Sequence, residues 1–332
     1  MKKRIAIVTV VAALLVFAAG CQKKEGGVYQ MRIGNVTAPD HILNITFMEF
    51  AERVNERSGG RINAVVYPSG QLGSLRTMTE SLQAGTLEMT TQSPGGLASF
   101  LPIAGVLEMP FAYESHQHVY DVVDGDIGQE INAQFLDRTG IRILAYWMNL
   151  HRHTTNNVRA INVPADFRGL RIRVPETRTV MDTITNLGAN AIPLPVSELY
   201  TAMSQGTVDG QENPISIIHA SKYFEVQNFL SLTGHVYSPV VVLISDSFYK
   251  RLPEDLRLIV DEEVANATAR SRMEAERIDN ELLDDLKRYM EVNEIADIAP
   301  FRAAVQPVYD DMIRTLGNDA QGFFDRIRAA AR

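Results

Sequence analysis

Segments of strand character and helix character alternate along this chain from residue 28 onward, and that alternation limits the folds open to it. Residues 29–36 read as a strand. Asp40 can cap a helix on which Ile42, Ile45, Phe50 and Val54 recur at helical spacing, and Gly59-Gly60 ends it. Residues 61–67, with Ile62, Val65 and Val66, form the next strand, and Pro68-Ser69-Gly70 turns the chain into a helix over 75–84 and a strand over 87–91. A second run follows, with strands over 142–147, 170–174 and 191–194 and helices over 179–187 and 198–206. Short connections between such units predict an α/β architecture with largely parallel sheets. Two runs predict two lobes, the second beginning near residue 150. Residues 240–245 are apolar enough for a buried strand. Between 253 and 292 there is almost no helix breaker, which fits either one helix spanning both lobes or two helices with a kink near Arg272.

The start of the chain has a different character. Lys2-Lys3-Arg4 precede an apolar stretch over 5–19, then Ala18-Ala19-Gly20 and the only cysteine, Cys21. A basic end, a short apolar run and a small-residue cleavage site make a secretory signal. The apolar run is shorter than the roughly 20 residues a membrane span needs. The segment resembles a bacterial lipoprotein signal, which implies lipidation of Cys21 and anchoring to a membrane. The expected organisation is a signal over 1–20, a polar tether over 21–28, lobe one over 29–150 and lobe two over 151–240. A crossing strand, the long helix and C-terminal helices occupy 241–332.

Chemistry is constrained first by charge. Without the three basic residues of the leader, 29 Lys and Arg stand against 40 Asp and Glu. A nucleic-acid partner is therefore not expected, since it needs a basic face. One cysteine permits no intrachain disulfide and no cysteine-based metal cluster. Neither a Gly-x-Gly-x-x-Gly turn nor a phosphate loop occurs. Ala202-Met203-Ser204-Gln205-Gly206 approaches a nucleophile elbow but lies in a helical pattern. The pairs His116/His118 and His151/His153 lack a third metal ligand at a recognisable spacing. No enzyme, cofactor or metal site is expected, and the weight falls on a binding protein.

Three segments suggest an anion-binding cleft. In Leu170-Arg171-Ile172-Arg173-Val174-Pro175-Glu176, a strand puts Arg171 and Arg173 on one face. A guanidinium matches a carboxylate with two parallel hydrogen bonds, although a solvated edge strand paired with surface acids fits the same spacing. His151-Arg152-His153-Thr154-Thr155-Asn156, just after Tyr146-Trp147, sets another arginine at a strand's end. Gly206-Thr207-Val208-Asp209-Gly210-Gln211-Glu212-Asn213-Pro214 is either a tight connection or a source of amide donors from Gln211 and Asn213.

Together these segments resemble the extracytoplasmic solute-binding proteins of TRAP (tripartite ATP-independent periplasmic) transporters. Residues 67–73 (YPSGQLG), 82–88 (LQAGTLE), Met109-Pro110-Phe111, Glu198-Leu199-Tyr200 and Thr233-Gly234-His235 extend the likeness from about residue 30 to about 310. The resemblance implies a two-lobed fold of the periplasmic-binding-protein type, with a ligand cleft between the lobes, crossing strands and a long lobe-spanning helix. It implies Arg173 as the carboxylate clamp, Arg152 as a second arginine on the same carboxylate, Asn213 as the amide that fixes it, and Glu176 as a contact to hydroxyls. It also implies delivery to small and large integral membrane subunits of the transporter. Gln92-Ser93 stand where sialic-acid binders carry a glutamate. A smaller sugar acid, such as glucuronate or galacturonate, fits the polar groups His41, Gln92, Ser93, Glu176 and Tyr237 about the clamp. A C4-dicarboxylate is the alternative of the same type. Binding for an ATP-driven importer and turnover of a sugar acid by an exported enzyme are the competing classes.

Overall fold

The computed structural model describes residues 27–331, so the leader and Cys21 lie outside the described residues. Eleven strands occur among these residues: β1 (Tyr29–Gly34), β2 (Ile62–Tyr67), β3 (Met89–Gln92), β4 (Ile141–Trp147), β5 (His151–Asn156), β6 (Arg171–Val174), β7 (Asn190–Pro193), β8 (Gly210–Pro214), β9 (Phe229–Tyr237), β10 (Val240–Ser245) and β11 (Glu291–Glu294). They form two sheets, one in the order β2-β1-β3-β10-β4 and one in the order β11-β9-β5-β8-β6-β7.

Each sheet has a parallel part made of the strand–helix–strand units legible in the sequence. β1 runs parallel to β2 and β3, and β6 runs parallel to β7 and β8. The sheets as a whole are mixed, which corrects the expectation of largely parallel ones. The reason is that two strand connections cross between the lobes, β4 to β5 and β9 to β10. β10 therefore enters the first sheet antiparallel to both β3 and β4, and β5 lies antiparallel to β8 and β9. At the crossing, Trp147 pairs with Val240 and His151 with Tyr237, so the two connections run side by side.

The long helix is continuous over Glu254–Leu286, which settles the question of a kink near Arg272. It stops short of residue 292 because Glu291–Glu294 pair as β11 with Phe229–Leu232 of β9. Leu256, Val260, Val264 and Ala267 pack with Phe47, Trp147 and Val242 of the first lobe, whereas Leu286 packs with Leu199, Met203 and Ile218 of the second. One apolar face thus serves two cores, which is what keeps a 33-residue helix from standing free. Trp147 Nε1 donates to Thr268 Oγ1 at 2.9 Å and the Met148 N–H to Ser271 Oγ at 3.2 Å, tying the crossing to mid-helix.

Candidate functional site

The cleft forms where the carboxyl ends of the parallel strands in the two sheets face one another, the usual place for a ligand in an open α/β sheet. Residues just after β1 and β3 line it from the first lobe, and residues at the ends of β6, β7 and β8 line it from the second. The cavity measures about 150 Å³.

Arg173 is next to last in β6 and 3% exposed. Its Nε and Nη2 both donate to the Leu194 carbonyl, at 2.8 and 2.5 Å. No carboxylate among the described residues forms a salt bridge with it. Burial pulls the guanidinium down to about 10, against weak support from Tyr223, Glu212 and Glu176. Arg171 lies on the same face one pleat earlier but differs in every respect. It is exposed, and its Nη2 donates to Asp209 Oδ1 at 2.7 Å. The surface alternative therefore describes Arg171, whereas Arg173 is buried and lines the cleft.

Arg152, 6% exposed, also faces the cleft. Its Nε donates to Glu212 Oε2 at 2.5 Å and its Nη2 to Glu212 Oε1 at 2.7 Å, a two-pronged pair. Burial pushes the Glu212 carboxyl up, but the charge and hydrogen bonds of Arg152, with His235, outweigh it and hold the group at about 2. His235 Nε2 lies 3.2 Å from Glu212 Oε2, and Thr233 Oγ1 lies 2.8 Å from His235 Nδ1. Asn213, opposite His153 in the β5–β8 ladder, accepts from Arg152 Nη2 at 3.1 Å through Oδ1 and donates to Gln211 through Nδ2. One amide hydrogen remains for an occupant of the cleft.

The auxiliary residues divide. His41, not Asp40, caps the helix Ile42–Arg57: its Nδ1 accepts from the Leu43 N–H at 3.1 Å. Burial lowers its pKa to about 4, so the ring is neutral and its proton sits on Nε2. That Nε2 is buried without a hydrogen-bond partner among the described residues, and His41 lines the cleft. Gln92 and Ser93 line the cleft too, but their polar atoms are engaged. Gln92 Nε2 donates to Thr79 Oγ1 at 3.2 Å, its Oε1 accepts from the Ser93 N–H at 2.9 Å, and Ser93 Oγ accepts from the Gly96 N–H at 3.1 Å. Glu176 is exposed on the cleft.

Tyr237 must be corrected. It does not line the cleft. As the last residue of β9 it is buried against Tyr113, His116 and His151, and its hydroxyl donates to Met148 Sδ at 2.9 Å. The neighbouring Ser238, which begins the crossing, faces the cavity instead. Among the lining residues absent from the sequence reading are Thr177 and Glu108. Thr177 carries a buried Oγ1 without a partner among the described residues, and Glu108 is a buried carboxyl fixed by residues distant in the chain. Thr177 was within reach of pattern, one residue past Glu176. Glu108 sits in the 3-10 turn Pro102–Glu108, where no periodicity marks an inward residue. Among the described residues no group of three His, Cys, Asp or Glu side chains is placed to hold a metal ion.

Comparison with known proteins agrees with this geometry. The pattern of the family described as bacterial extracellular solute-binding protein, family 7 (DctP), matches residues 33–315. A solute-binding protein of Verminephrobacter eiseniae is 35% identical over 302 residues, 90% of this chain and 89% of that one. The sugar acid binding protein DctPAm of Advenella mimigardefordensis, solved in complex with galactonate, superposes with a TM-score of 0.88 at 31% identity, covering 92% of this chain and all of that one. A TRAP periplasmic solute binding protein of Roseobacter denitrificans, solved with β-D-glucuronate, gives 0.86 at 29% identity, covering 90% and 99%.

Proposed function

The chain belongs to the bacterial extracellular solute-binding proteins of family 7, and on that premise we propose that it captures a sugar acid, a uronate such as glucuronate or galacturonate, and hands it unchanged to the membrane subunits of a TRAP transporter. The observation that carries this reading is Arg173. A buried cation without a carboxylate partner, at the mouth of a cleft between two lobes, is a place for a ligand's carboxylate. Asn213 and Arg152 stand beside it. His41 Nε2–H and Thr177 Oγ1, both buried without partners, supply hydrogen bonds for a hydroxylated body. The similar proteins solved with galactonate and with β-D-glucuronate support the sugar-acid class.

In this reading the acid meets Arg173 in the open cleft, and the lobes close by bending at the paired crossing. The test is calorimetric titration with uronates, aldonates, C4-dicarboxylates and sialic acid. Binding of one sugar acid at micromolar affinity, abolished by Arg173→Ala, is the expected result. Tight binding of none of them, or undiminished binding by Arg173→Ala, rules the clamp out. Release of a chemically altered ligand would place the protein among enzymes. Export behind the leader and a lipid on Cys21 belong to the same proposal. Mass spectrometry of the mature N-terminus tests them, and an unmodified Cys21 rules the anchor out.

A further inference from the structure

Glu108 is a buried acidic group in the same cleft wall as Arg152 and Arg173, and nothing in the clamp uses it. It is 1% exposed. Its Oε2 accepts from the Gly95 N–H at 2.7 Å and from Ser93 Oγ at 3.2 Å, and its Oε1 is held by the Ser238 hydroxyl. The seat is built around the carboxyl. A Cβ at residue 95 would stand 2.0 Å from Oε2, so only glycine brings that N–H into place. Burial raises the Glu108 pKa above the ordinary carboxylate range; Ser238, Arg152 and the Gly95 N–H oppose that rise, and Glu212 adds to it.

The arginines of the clamp lie on the second lobe, so the remainder of a bound acid meets the first-lobe wall that includes Glu108. The cation on that side of the cleft, Arg76, is 61% exposed at its side chain and paired with Glu80 at 3.1 Å. Resting on the sugar-acid reading above, we infer that Glu108 sets the charge the cleft accepts: one carboxylate at the arginines, and a neutral hydroxylated end at the wall formed by Glu108 and Ser238. Gly95 N–H, Ser93 Oγ and Ser238 Oγ all donate to Glu108, which fits a carboxylate, and a ligand hydroxyl can donate to it as well. A second ligand carboxylate in that position meets like charge, or forces Glu108 to take up a proton on binding.

Galactonate with galactarate, and gluconate with glucarate, are pairs that share a carbon chain and differ by a terminal hydroxymethyl or carboxylate. Calorimetry on the full chain near neutral pH is expected to show the monoacid of a pair binding about 100-fold more tightly, the scale of a like-charge contact in a dry site. Glu108→Gln, which keeps the shape and the bond from Gly95, is expected to cut that preference, read as the ratio of the two affinities, to less than about tenfold. Equal affinities within a pair for the wild type, or a preference unchanged in Glu108→Gln, overturns the inference and leaves the sugar-acid reading intact. If Glu108→Gln does not fold, the wild-type ratio decides alone, and a ratio near one overturns it. Failure of every sugar acid to bind the wild type overturns that reading, and this inference with it.

Discussion

Arg152 and Arg173 lie on the two strands that flank β8, face the same cavity and are almost equally buried, yet their surroundings differ completely. Arg152 is clasped by Glu212, and the charge of that pair is balanced within the protein. Arg173 has a backbone carbonyl and no carboxylate among the described residues. A buried ion pair is internally complete, and a lone buried cation draws an anion from outside. Arg152 thus reads as the residue that fixes the shape of the site, and Arg173 as the one that needs the ligand.

The largest expected effect comes from breaking the lone member. Arg173→Met should reduce sugar-acid affinity about 30- to 4,000-fold, since losing one partner of a desolvated charged pair costs on the order of 2–5 kcal/mol. In the ligand-free protein the same change should leave the thermal midpoint unchanged or higher, because an unpaired buried charge disappears. Both readouts are needed, and a large loss of stability without ligand would show that Arg173 is structural.

Glu212→Gln attacks the paired member. It leaves Arg152 unmatched and should cost about 3–5 kcal/mol of unfolding free energy, measured by denaturant titration. The pH dependence has a definite sign. Glu212 titrates at about 2 in the fold and near 4.5 when unfolded, so its contribution is full above about pH 4.5 and is lost as pH falls toward 2. In Glu212→Gln this part of the acid sensitivity should vanish. Unaltered acid sensitivity would remove Glu212 from the account.

Smaller effects sharpen the comparison at its edges. His41→Asn keeps an acceptor at the helix N-cap but removes the free Nε2 donor. Affinity should fall about tenfold with little change in the thermal midpoint, as expected for one buried hydrogen bond. Arg171→Ala removes an exposed arginine of the same strand face and should leave affinity within about twofold.

How far the sequence carries this picture depends on the range of the contacts involved. Strand–helix alternation, the buried run over Val240–Ser245 and the arginine at the end of β6 are local patterns, and all are legible. Which of Arg171 and Arg173 is buried is not local. It depends on which end of β6 points at the other lobe. Glu212 stands in a recognisable segment, but every residue of β8 is buried, so alternation gives no sign of which side chain meets Arg152. Glu108 is harder still, since its partners Gly95 and Ser238 are 13 and 130 residues away. Tyr237 carries a polar hydroxyl but packs against Tyr113, His116 and His151 away from the lining, a long-range placement that residue type alone does not reveal.

The position of β10 also bears on how the molecule comes into being. It is the strand that joins β3 to β4 in the first sheet, and the chain reaches it only after the strands β5 to β9 of the other lobe. A ribosome or a translocation channel that has released residues 29–147 has therefore delivered two unconnected pieces of one sheet, with the edges of β3 and β4 bare. Such edges are sticky and their pairing is a late, long-range event. The first lobe cannot mature before the second has been made, so the two lobes reach the native state as one cooperative unit, and a chaperone that shields them has to hold on until residue 245 has emerged.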